Sequence, residues 1–219
     1  MITLRKLTAK FWDRKFSPAE AAAMLDISVT QANNLFDEVA PLGIVEKGNG
    51  KRSIEYRGLF TLLMEEQLAA WQLAKDLRLK ALAQALAKNT KRVEPIPELS
   101  VLVSGYRERA QKGLSTLYEA EENVETSKEI MQGEPCIRGT RVPVYVLAAV
   151  AAKHGIEEVQ QTYPFLTRSN LEHAILYAKA HPRKGRPKTT MLPSKPIDAT
   201  RKVIVRNNKA RAQSSDFPD

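Results

Sequence analysis

The sequence predicts a mainly α-helical protein with short β elements, and three observations support this fold class. A helix-start signature, Ser17-Pro18-Ala19-Glu20, opens two closely spaced segments whose apolar residues recur at helical spacing. Residues 44–47 and 52–56 follow as two strand-like segments around a glycine-containing loop. Three more helical segments lie near the C-terminus, where Gly155 and Pro164 separate them. Hydrophobic residues form 43% of the 219, enough for a core over most of the chain.

Changes in composition and pattern divide the chain into four parts. We expect a winged helix-turn-helix in residues 1–58, a helical connector in residues 59–123, a small helical domain in residues 124–181 and a flexible basic tail in residues 182–219. The tail holds ten Lys or Arg and three Asp, so it carries +7 of the formal net charge of +9. A tail of this charge favours an acidic partner, either nucleic acid or a protein surface.

The winged helix-turn-helix is predicted from the order of elements in the first part. Ser17 and Ser28 are placed to cap the two helices, and Pro41-Leu42-Gly43 ends the second one. A helix, a tight turn, a second helix and a strand-loop-strand form a DNA-binding pattern in which the second helix enters the major groove. A single such unit binds weakly, so we expect a homodimer on operator DNA with two half-sites.

Polar side chains around the start of the second helix and in the wing loop are the candidate DNA contacts. Gln and Asn side chains suit pairing with adenine, and polar or basic loop residues suit phosphate. The candidates are Ser28, Thr30, Gln31, Asn33, Asn34, Asn49, Lys51 and Arg52. The second helix has no Lys or Arg and carries Asp37 and Glu38, which phosphate repels. A unit that contacts only protein is therefore the alternative.

The middle of the chain predicts helices with one interruption. The apolar stripe of residues 59–86 predicts a single long helix. Residues 93–97, which contain two prolines, end it, and residues 99–103 predict a short strand. Residues 106–123 predict a further helix, which Gly113 weakens.

The segment 133–144 has the composition of a connection that holds a defined backbone shape. Gly133 and Gly139 permit turns with positive φ, and Pro143 suits the first turn of the helix that follows. We expect Arg141 to pair with a carboxylate or to cap backbone carbonyls. The residues of this structural motif are Gly133, Pro135, Gly139, Thr140, Arg141, Pro143 and Val144.

The elements around this segment can also be predicted. Residues 127–131 and 136–138 suggest a small hairpin or paired extended segments. Thr167 is a candidate N-cap for the last helix. The predicted helices span about 144–153, 156–162 and 168–180.

Residues 133–144 closely resemble the Gly-x-Pro-x-Ile-x-Gly-Thr-Arg-x-Pro-Val hallmark of a domain of unknown function, number 433, found in VapB-like antitoxins. Glu129-Ile130 before the motif, and residues 156–159, 163–167 and 171–178 after it, resemble the family's usual continuation. The resemblance implies a type II antitoxin that binds and inhibits a PIN-like ribonuclease toxin and represses its own operon. It also implies a small helix-turn-helix-like C-terminal domain, which we expect to dimerise and for which contact with DNA is the alternative, and possible higher-order assembly with the toxin.

The resemblance gives the tail a function. In antitoxins of this kind a flexible C-terminal segment wraps the toxin, and basic residues can occupy the acidic, Mg²⁺-holding site of a PIN-like ribonuclease. The candidate toxin contacts are Arg201, Lys202, Val203, Ile204, Val205, Arg206, Lys209 and Arg211. Gly185-Arg186-Pro187 offers an alternative, because it resembles the core of a minor-groove AT-hook. A solvated, unstructured end is the third reading.

Several functions are not indicated by the sequence. The three histidines have no ligand-like neighbours, no phosphate-binding glycine loop occurs, and the glutamate pairs fit solvated helix faces, so we expect no enzyme, no metal and no cofactor. The single cysteine, Cys136, cannot form an internal disulfide, and no secretory signal is recognisable, so a cytoplasmic location is expected. A stand-alone dimeric winged helix-turn-helix regulator without a toxin is the alternative function.

Overall fold

The computed structural model describes residues 14–48, 50–87 and 90–183. These residues are mainly helical with short antiparallel strands, as predicted. Within them, no helix combines the length and the apolar character that crossing a membrane requires.

The first elements follow the predicted order of two helices and two strands, and a short strand before them was not predicted. The Ser17 side chain accepts a hydrogen bond from the Glu20 backbone, and the Glu20 side chain accepts one from the Ser17 backbone, so the predicted capping box forms. Ser28 caps the second helix, where its side chain accepts a hydrogen bond from the Gln31 N–H. The three strands form an antiparallel sheet with the order β1-β3-β2. The elements are β1 (Lys15–Phe16), α1 (Pro18–Leu25), α2 (Val29–Val39), β2 (Val45–Gly48) and β3 (Lys51–Glu55).

The prediction of one long helix over residues 59–86 is wrong, because the stretch is divided into α3 (Leu59–Ala70) and α4 (Lys75–Ala87). Gln72 adopts a left-handed backbone with φ 58°, and the Leu73 N–H donates to the Leu68 carbonyl, which reverses the chain. Both helices bury apolar residues against the same core, so the apolar stripe runs across the break. The stripe therefore could not reveal the turn.

A hairpin and a long helix complete the middle part. The predicted strand near residue 99 is present as β5 (Leu99–Leu102), and it pairs with β4 (Arg92–Ile96), a segment expected only to break a helix. Helix α5 (Ser104–Glu122) follows. A Cβ at Gly113 would lie 2.1 Å from the Met24 carbonyl oxygen, so this glycine lets α5 approach α1 closely. Gly113 therefore serves the packing of the two helices. The low helix propensity of glycine had suggested only that it weakens α5.

The C-terminal part contains the three predicted helices, and Thr167 caps the last as expected. The predicted pairing of residues 127–131 is wrong, because the partner of β7 (Cys136–Ile137) is β6 (Val124–Glu125). The chain turns within the predicted strand, where Met131 and Gln132 have φ of 47° and 60°. The helices are α6 (Val144–His154), α7 (Ile156–Thr162) and α8 (Arg168–Ala180).

Two hydrophobic clusters form the core. The first draws residues from β1 to α5, so residues 59–117 pack with the N-terminal elements in one core. The second joins Val124 and Ile137 to the three C-terminal helices. Helix α8 contributes to both clusters, since Ala180 is buried in the first and Leu171 in the second.

Candidate nucleic-acid interface

Helix α2 presents one buried and one exposed face. Ala32, Leu35, Phe36 and Val39 are buried against the first cluster at helical spacing. Thr30 and Asn34 lie on the opposite, exposed face. In the part of the chain that the structure describes, neither side chain has a hydrogen-bond or ion-pair partner. Of the eight predicted contacts, these two are the helix residues most accessible to a ligand.

Three predicted contacts on or before α2 are instead held inside the protein. Ser28 is occupied as the N-cap, where its hydroxyl accepts a hydrogen bond from the Gln31 N–H at 3.1 Å. The Gln31 amide donates to Glu66 on α3. The Asn33 amide donates to the Val29 carbonyl at 2.9 Å and its Oδ1 accepts from Arg52 at 2.6 Å.

The residues of the β2–β3 wing also divide into those held by contacts within the protein and those that are exposed. Arg52 of β3 reaches back to α2, where its guanidinium contacts both Asn33 and Asp37. Lys51 is exposed and makes no ion pair with any described residue. Asn49 lies outside the described residues. Among the described candidates, Thr30, Asn34 and Lys51 are therefore the side chains available to a duplex.

Both acidic groups of α2 have cationic partners. Arg52 hydrogen-bonds the Asp37 carboxylate and lowers its pKa. The Glu38 carboxylate lies 2.8 Å from Lys75 Nζ and 3.5 Å from Arg78. The repulsion of phosphate by Asp37 and Glu38, the main sequence argument against DNA binding, is therefore reduced. Lys75 and Arg78 belong to α4, and no local sequence signal could link them to α2.

A cleft of about 970 Å³ separates the N-terminal elements from the C-terminal domain. One wall carries Pro18, Val29, Asn33 and Lys51, so it includes the start of α2 and the wing. The opposite wall consists of residues 131–135, Tyr145 and residues 180–183. The first turn of the 133–144 segment thus faces the helix that carries the candidate DNA contacts.

The 133–144 segment is a folded connection held by its own backbone. Gly133 and Gly139 have φ of 88° and 75°, as their predicted turn roles require. The Gly139 N–H donates to Glu125 at 3.0 Å, and the Thr140 hydroxyl donates to the Ile137 carbonyl at 2.8 Å. The Val144 N–H donates to the Pro135 carbonyl at 3.0 Å, which brings the two ends of the motif together.

The expected pairing of Arg141 is not found among the described residues. Its side chain is exposed and has no hydrogen bond or ion pair with a described residue. Arg138 makes the expected contact with a carbonyl instead, because β7 lies beside the end of α5 and brings the Arg138 Nε to 2.5 Å from the Glu122 oxygen. Within the motif, Arg141 is therefore available for a partner.

An ionic cluster joins the two ends of the described chain. The Arg14 guanidinium lies 2.6 Å from Glu20 and 2.6 Å from Glu121, and His181 Nε2 lies 3.0 Å from Glu121. Burial acts to raise the pKa of Glu121, but the hydrogen bonds from Arg14 and His181 outweigh it and bring the pKa down to about 2. Glu20, Glu121 and His181 are close enough to share a cation, and the Arg14 guanidinium already contacts both carboxylates.

Comparison with known proteins places the C-terminal domain in a family. Residues 124–178 match the family described as "Protein of unknown function (DUF433)", which covers most of the domain that the sequence resemblance indicated. The chain is similar to the "Uncharacterized protein y4eO" of Sinorhizobium fredii, with 31% identity over 182 residues, 77% of this chain and 82% of that protein. No solved structure matches the chain.

Proposed function

We propose, since this chain belongs to the same family as the uncharacterized Sinorhizobium fredii protein and carries a DUF433 domain, that it is a type II antitoxin that represses its own operon. The proposal has two parts. The first is promoter binding through the N-terminal elements, and the second is inhibition of a PIN-like ribonuclease toxin.

The observation that carries the first part is the exposed face of α2 beside the β2–β3 hairpin. Two helices followed by a hairpin, with an additional strand paired to give the order β1-β3-β2, support a winged helix-turn-helix. Thr30 and Asn34 then face the major groove, and Lys51 meets phosphate. The pairing of Asp37 with Arg52, and of Glu38 with Lys75, supports the approach of this face to an anion.

Fluorescence anisotropy with a duplex from the chain's own promoter tests this part. We expect Asn34→Ala and Thr30→Ala each to weaken binding by about tenfold, as lost base contacts of roughly 1–3 kcal/mol do. Lys51→Ala should weaken binding to all sequences and reduce the salt slope by about one. Gln161→Ala and Lys153→Ala are matched controls, because both residues are exposed on the C-terminal domain.

Arg52 and Asn33 are unsuitable for that comparison, since their contacts hold the hairpin against α2 and their removal also changes the fold. Absence of binding by the unmodified chain at low salt would overturn the DNA-binding part. Equal loss in the Lys153→Ala and Asn34→Ala variants would show that the loss of affinity is not specific to α2.

The second part is supported by the family resemblance and by the charge of the tail. Residues 182–219 carry ten basic and three acidic residues, which suits a segment that enters an acidic, Mg²⁺-binding site. The candidate contacts between Arg201 and Arg211 lie outside the described residues.

Co-expression with the product of the neighbouring open reading frame tests the second part. We expect the full chain to co-purify with that product and to restore growth, and a variant that ends at Arg183 to lose both effects. Full inhibition by the shortened variant would overturn the role of the tail. A neighbour that is not a small acidic protein with spaced aspartates, together with intact promoter binding, would favour the alternative of a stand-alone dimeric regulator.

A further inference from the structure

The large hydrophobic side chains exposed in the described part of the chain fall into two pairs. Val29 and Met131 are 45% and 47% exposed and line the cleft beside α2. Trp71 and Leu102 are 50% and 55% exposed and line a separate hollow of about 650 Å³. Trp71 follows α3 and Leu102 ends β5, so two distant segments form one apolar surface. Such surfaces are often interaction sites.

The hollow lies beside a strand edge that is open among the described residues. The Val103 N–H donates to the Lys91 carbonyl at 2.8 Å. Backbone groups of alternate residues in an antiparallel strand point to opposite sides. Ser100 and Leu102 therefore direct their N–H and C=O groups away from β4, where no described strand pairs with them.

The two edges of the β4–β5 hairpin differ in how well they are protected from pairing with another strand. On β4, Pro95 removes a donor, and the register shifts between Val93 and Ile96. Prolines and bulges are the usual devices that prevent a strand edge from pairing with another chain. The four residues of β5 include no proline, glycine or charge.

We propose that β5 pairs antiparallel with β5 of a second copy of this chain, across a two-fold axis perpendicular to the sheet. Such an axis keeps the faces of both strands aligned, so exposed residues must meet exposed residues. Ser100 then lies opposite Ser100 of the second copy, and Leu102 lies opposite Glu98 of that copy. The contact covers Leu102 and Trp71 and produces a four-stranded sheet.

Charge favours a second copy as the occupant. Arg109 and Lys112 lie on the rim of the hollow with one anion, Glu108, and neither cation has a partner among the described residues. Glu98 is exposed, and it too lacks a partner there. Pairing through Ser100 brings Glu98 of each copy to the cationic rim of the other, so the surface is complementary to itself.

The biological role of the dimer rests on the proposed function, because operator recognition needs two copies of the chain. The geometry of the strand pairing does not depend on that function. The contact lies in the middle of the chain. Family resemblance placed dimerisation in residues 124–181, so the two locations can be distinguished by experiment.

Sedimentation velocity of the full chain is the first test. We expect a dimer for the unmodified chain and at least a tenfold weaker dimer for Leu102→Glu, which places a like charge opposite Glu98 of the second copy. Met131→Glu is the matched control, since Met131 is also a half-exposed large hydrophobic side chain but lies in the other cleft. Circular dichroism should be the same for all three proteins.

Cross-linking is the second test. In a Cys136→Ala background, Ser100→Cys should give a disulfide-linked dimer on mild oxidation, because Cα atoms of a directly opposite antiparallel pair lie about 5.5 Å apart, within the range a disulfide spans. Ser169→Cys, at an exposed position on α8, should remain unlinked.

The outcomes separate this inference from the proposed function. A monomeric chain at about 100 μM, or a dimer that Leu102→Glu leaves intact, would overturn the inference. Loss of the dimer in Leu102→Glu without any link through the introduced cysteine would overturn the strand pairing. A dimer that fails to bind promoter DNA would count against the proposed function alone.

Discussion

At position 113 only glycine fits, because a Cβ would lie 2.1 Å from the Met24 carbonyl oxygen. That oxygen belongs to the backbone of α1, so relief requires one helix to move away from the other. We expect Gly113→Ala to lower the free energy of unfolding by about 2–3 kcal/mol, the upper part of the usual range for overpacking. The midpoint of urea unfolding, followed by circular dichroism, measures this change.

Gly105→Ala is the control, because it lies in the same helix and nothing lies within 4 Å of its Cβ position. Replacing glycine by alanine in an exposed helix stabilises it by roughly 0.5–1 kcal/mol. We therefore expect the two variants to change stability in opposite directions. Equal effects would show that helix propensity, and not the approach to Met24, determines the role of Gly113.

The pKa of Glu121 makes stability depend on pH. Folding lowers the pKa of the Glu121 carboxyl from 4.5 to about 2. What this carboxylate adds to the free energy of unfolding is therefore fully present above the pKa of the unfolded chain, and it is lost as the pH falls through the pKa of the folded chain. At pH 7, Glu121→Gln should cost about 2 kcal/mol, because the charge-assisted bonds of Arg14 and His181 are weakened. The difference from the unmodified chain should shrink as pH falls from about 4.5 towards 2.

Urea midpoints measured at several pH values check this window. Glu122→Gln is the matched control, because Glu122 is the next residue, is exposed, and makes no side-chain ion pair with a described residue. It should leave the pH profile unchanged. A Glu121→Gln penalty that stays constant from pH 7 to pH 3 would contradict a lowered pKa.

Residues whose partners are close in sequence were predictable. Ser17 and Glu20 form a capping box three residues apart, and Ser28 and Thr167 cap their helices as expected. Arg52 and Asn33 were predicted as separate DNA contacts, but they bond to each other because the hairpin folds back on α2. A pattern along the chain contains no information about such a contact.

At the element scale, α3 and α4 are joined by a buried ion pair. Glu65 on α3 is 2% exposed, and Arg78 on α4 lies 2.7 Å from it. Burial raises the pKa of Glu65, and the hydrogen bond from Arg78 opposes that rise. The pair holds the two helices on either side of the Trp71–Ala74 turn.

A double-mutant cycle tests how this pair acts. Arg78→Met should cost roughly 3–5 kcal/mol, because it leaves the Glu65 carboxylate buried without its main cation. Glu65→Met combined with Arg78→Met should recover about half of that loss, since a buried pair can be replaced by apolar side chains. Urea unfolding of Arg78→Met, of Glu65→Met and of the double variant completes the cycle. Strictly additive losses would show that the two side chains act independently.

Elements with local signals were predictable, and those that depend on distant packing were not. The helices after residue 144 are delimited by Gly155 and by the Thr167 cap, so their bounds are close to the predicted ones. The turn after Trp71 contains no glycine or proline that could have signalled it. Gln72 itself adopts the left-handed conformation there. Strand β4 contains Pro95, which argued against a strand, and it forms because β5 supplies the other side of the hairpin.

At the scale of the whole molecule, α8 makes the two hydrophobic clusters interdependent. Leu171 is buried in the second cluster, whereas Ala180 of the same helix is buried in the first. We expect Leu171→Ala to cost about 2–5 kcal/mol and to destabilise both clusters together. With a Trp12→Phe background, Trp71 becomes the single tryptophan, beside the first cluster, and its fluorescence reports on that cluster.

Two unfolding midpoints, measured with different probes, show whether the two hydrophobic clusters unfold together. The Trp71 fluorescence midpoint and the far-UV circular dichroism midpoint should move together in Leu171→Ala. Leu82→Ala, which alters only the first cluster directly, is the comparison. A circular dichroism transition that splits in Leu171→Ala while fluorescence stays fixed would show that the C-terminal domain unfolds independently.

The cluster of Arg14, Glu20, Glu121 and His181 has a consequence for communication along the protein. Glu20 belongs to the capping box of α1, and His181 is the last residue before the segment assigned to the tail. A ligand that draws His181 away from Glu121 therefore changes the energy of the helix pair that carries Thr30 and Asn34. Thermodynamic reciprocity requires the converse as well, so a ligand on α2 that disturbs this cluster would alter the affinity at residue 181 by the same factor. The proposed binding of DNA at α2 and of a toxin at the tail would thus be coupled through one group of charges.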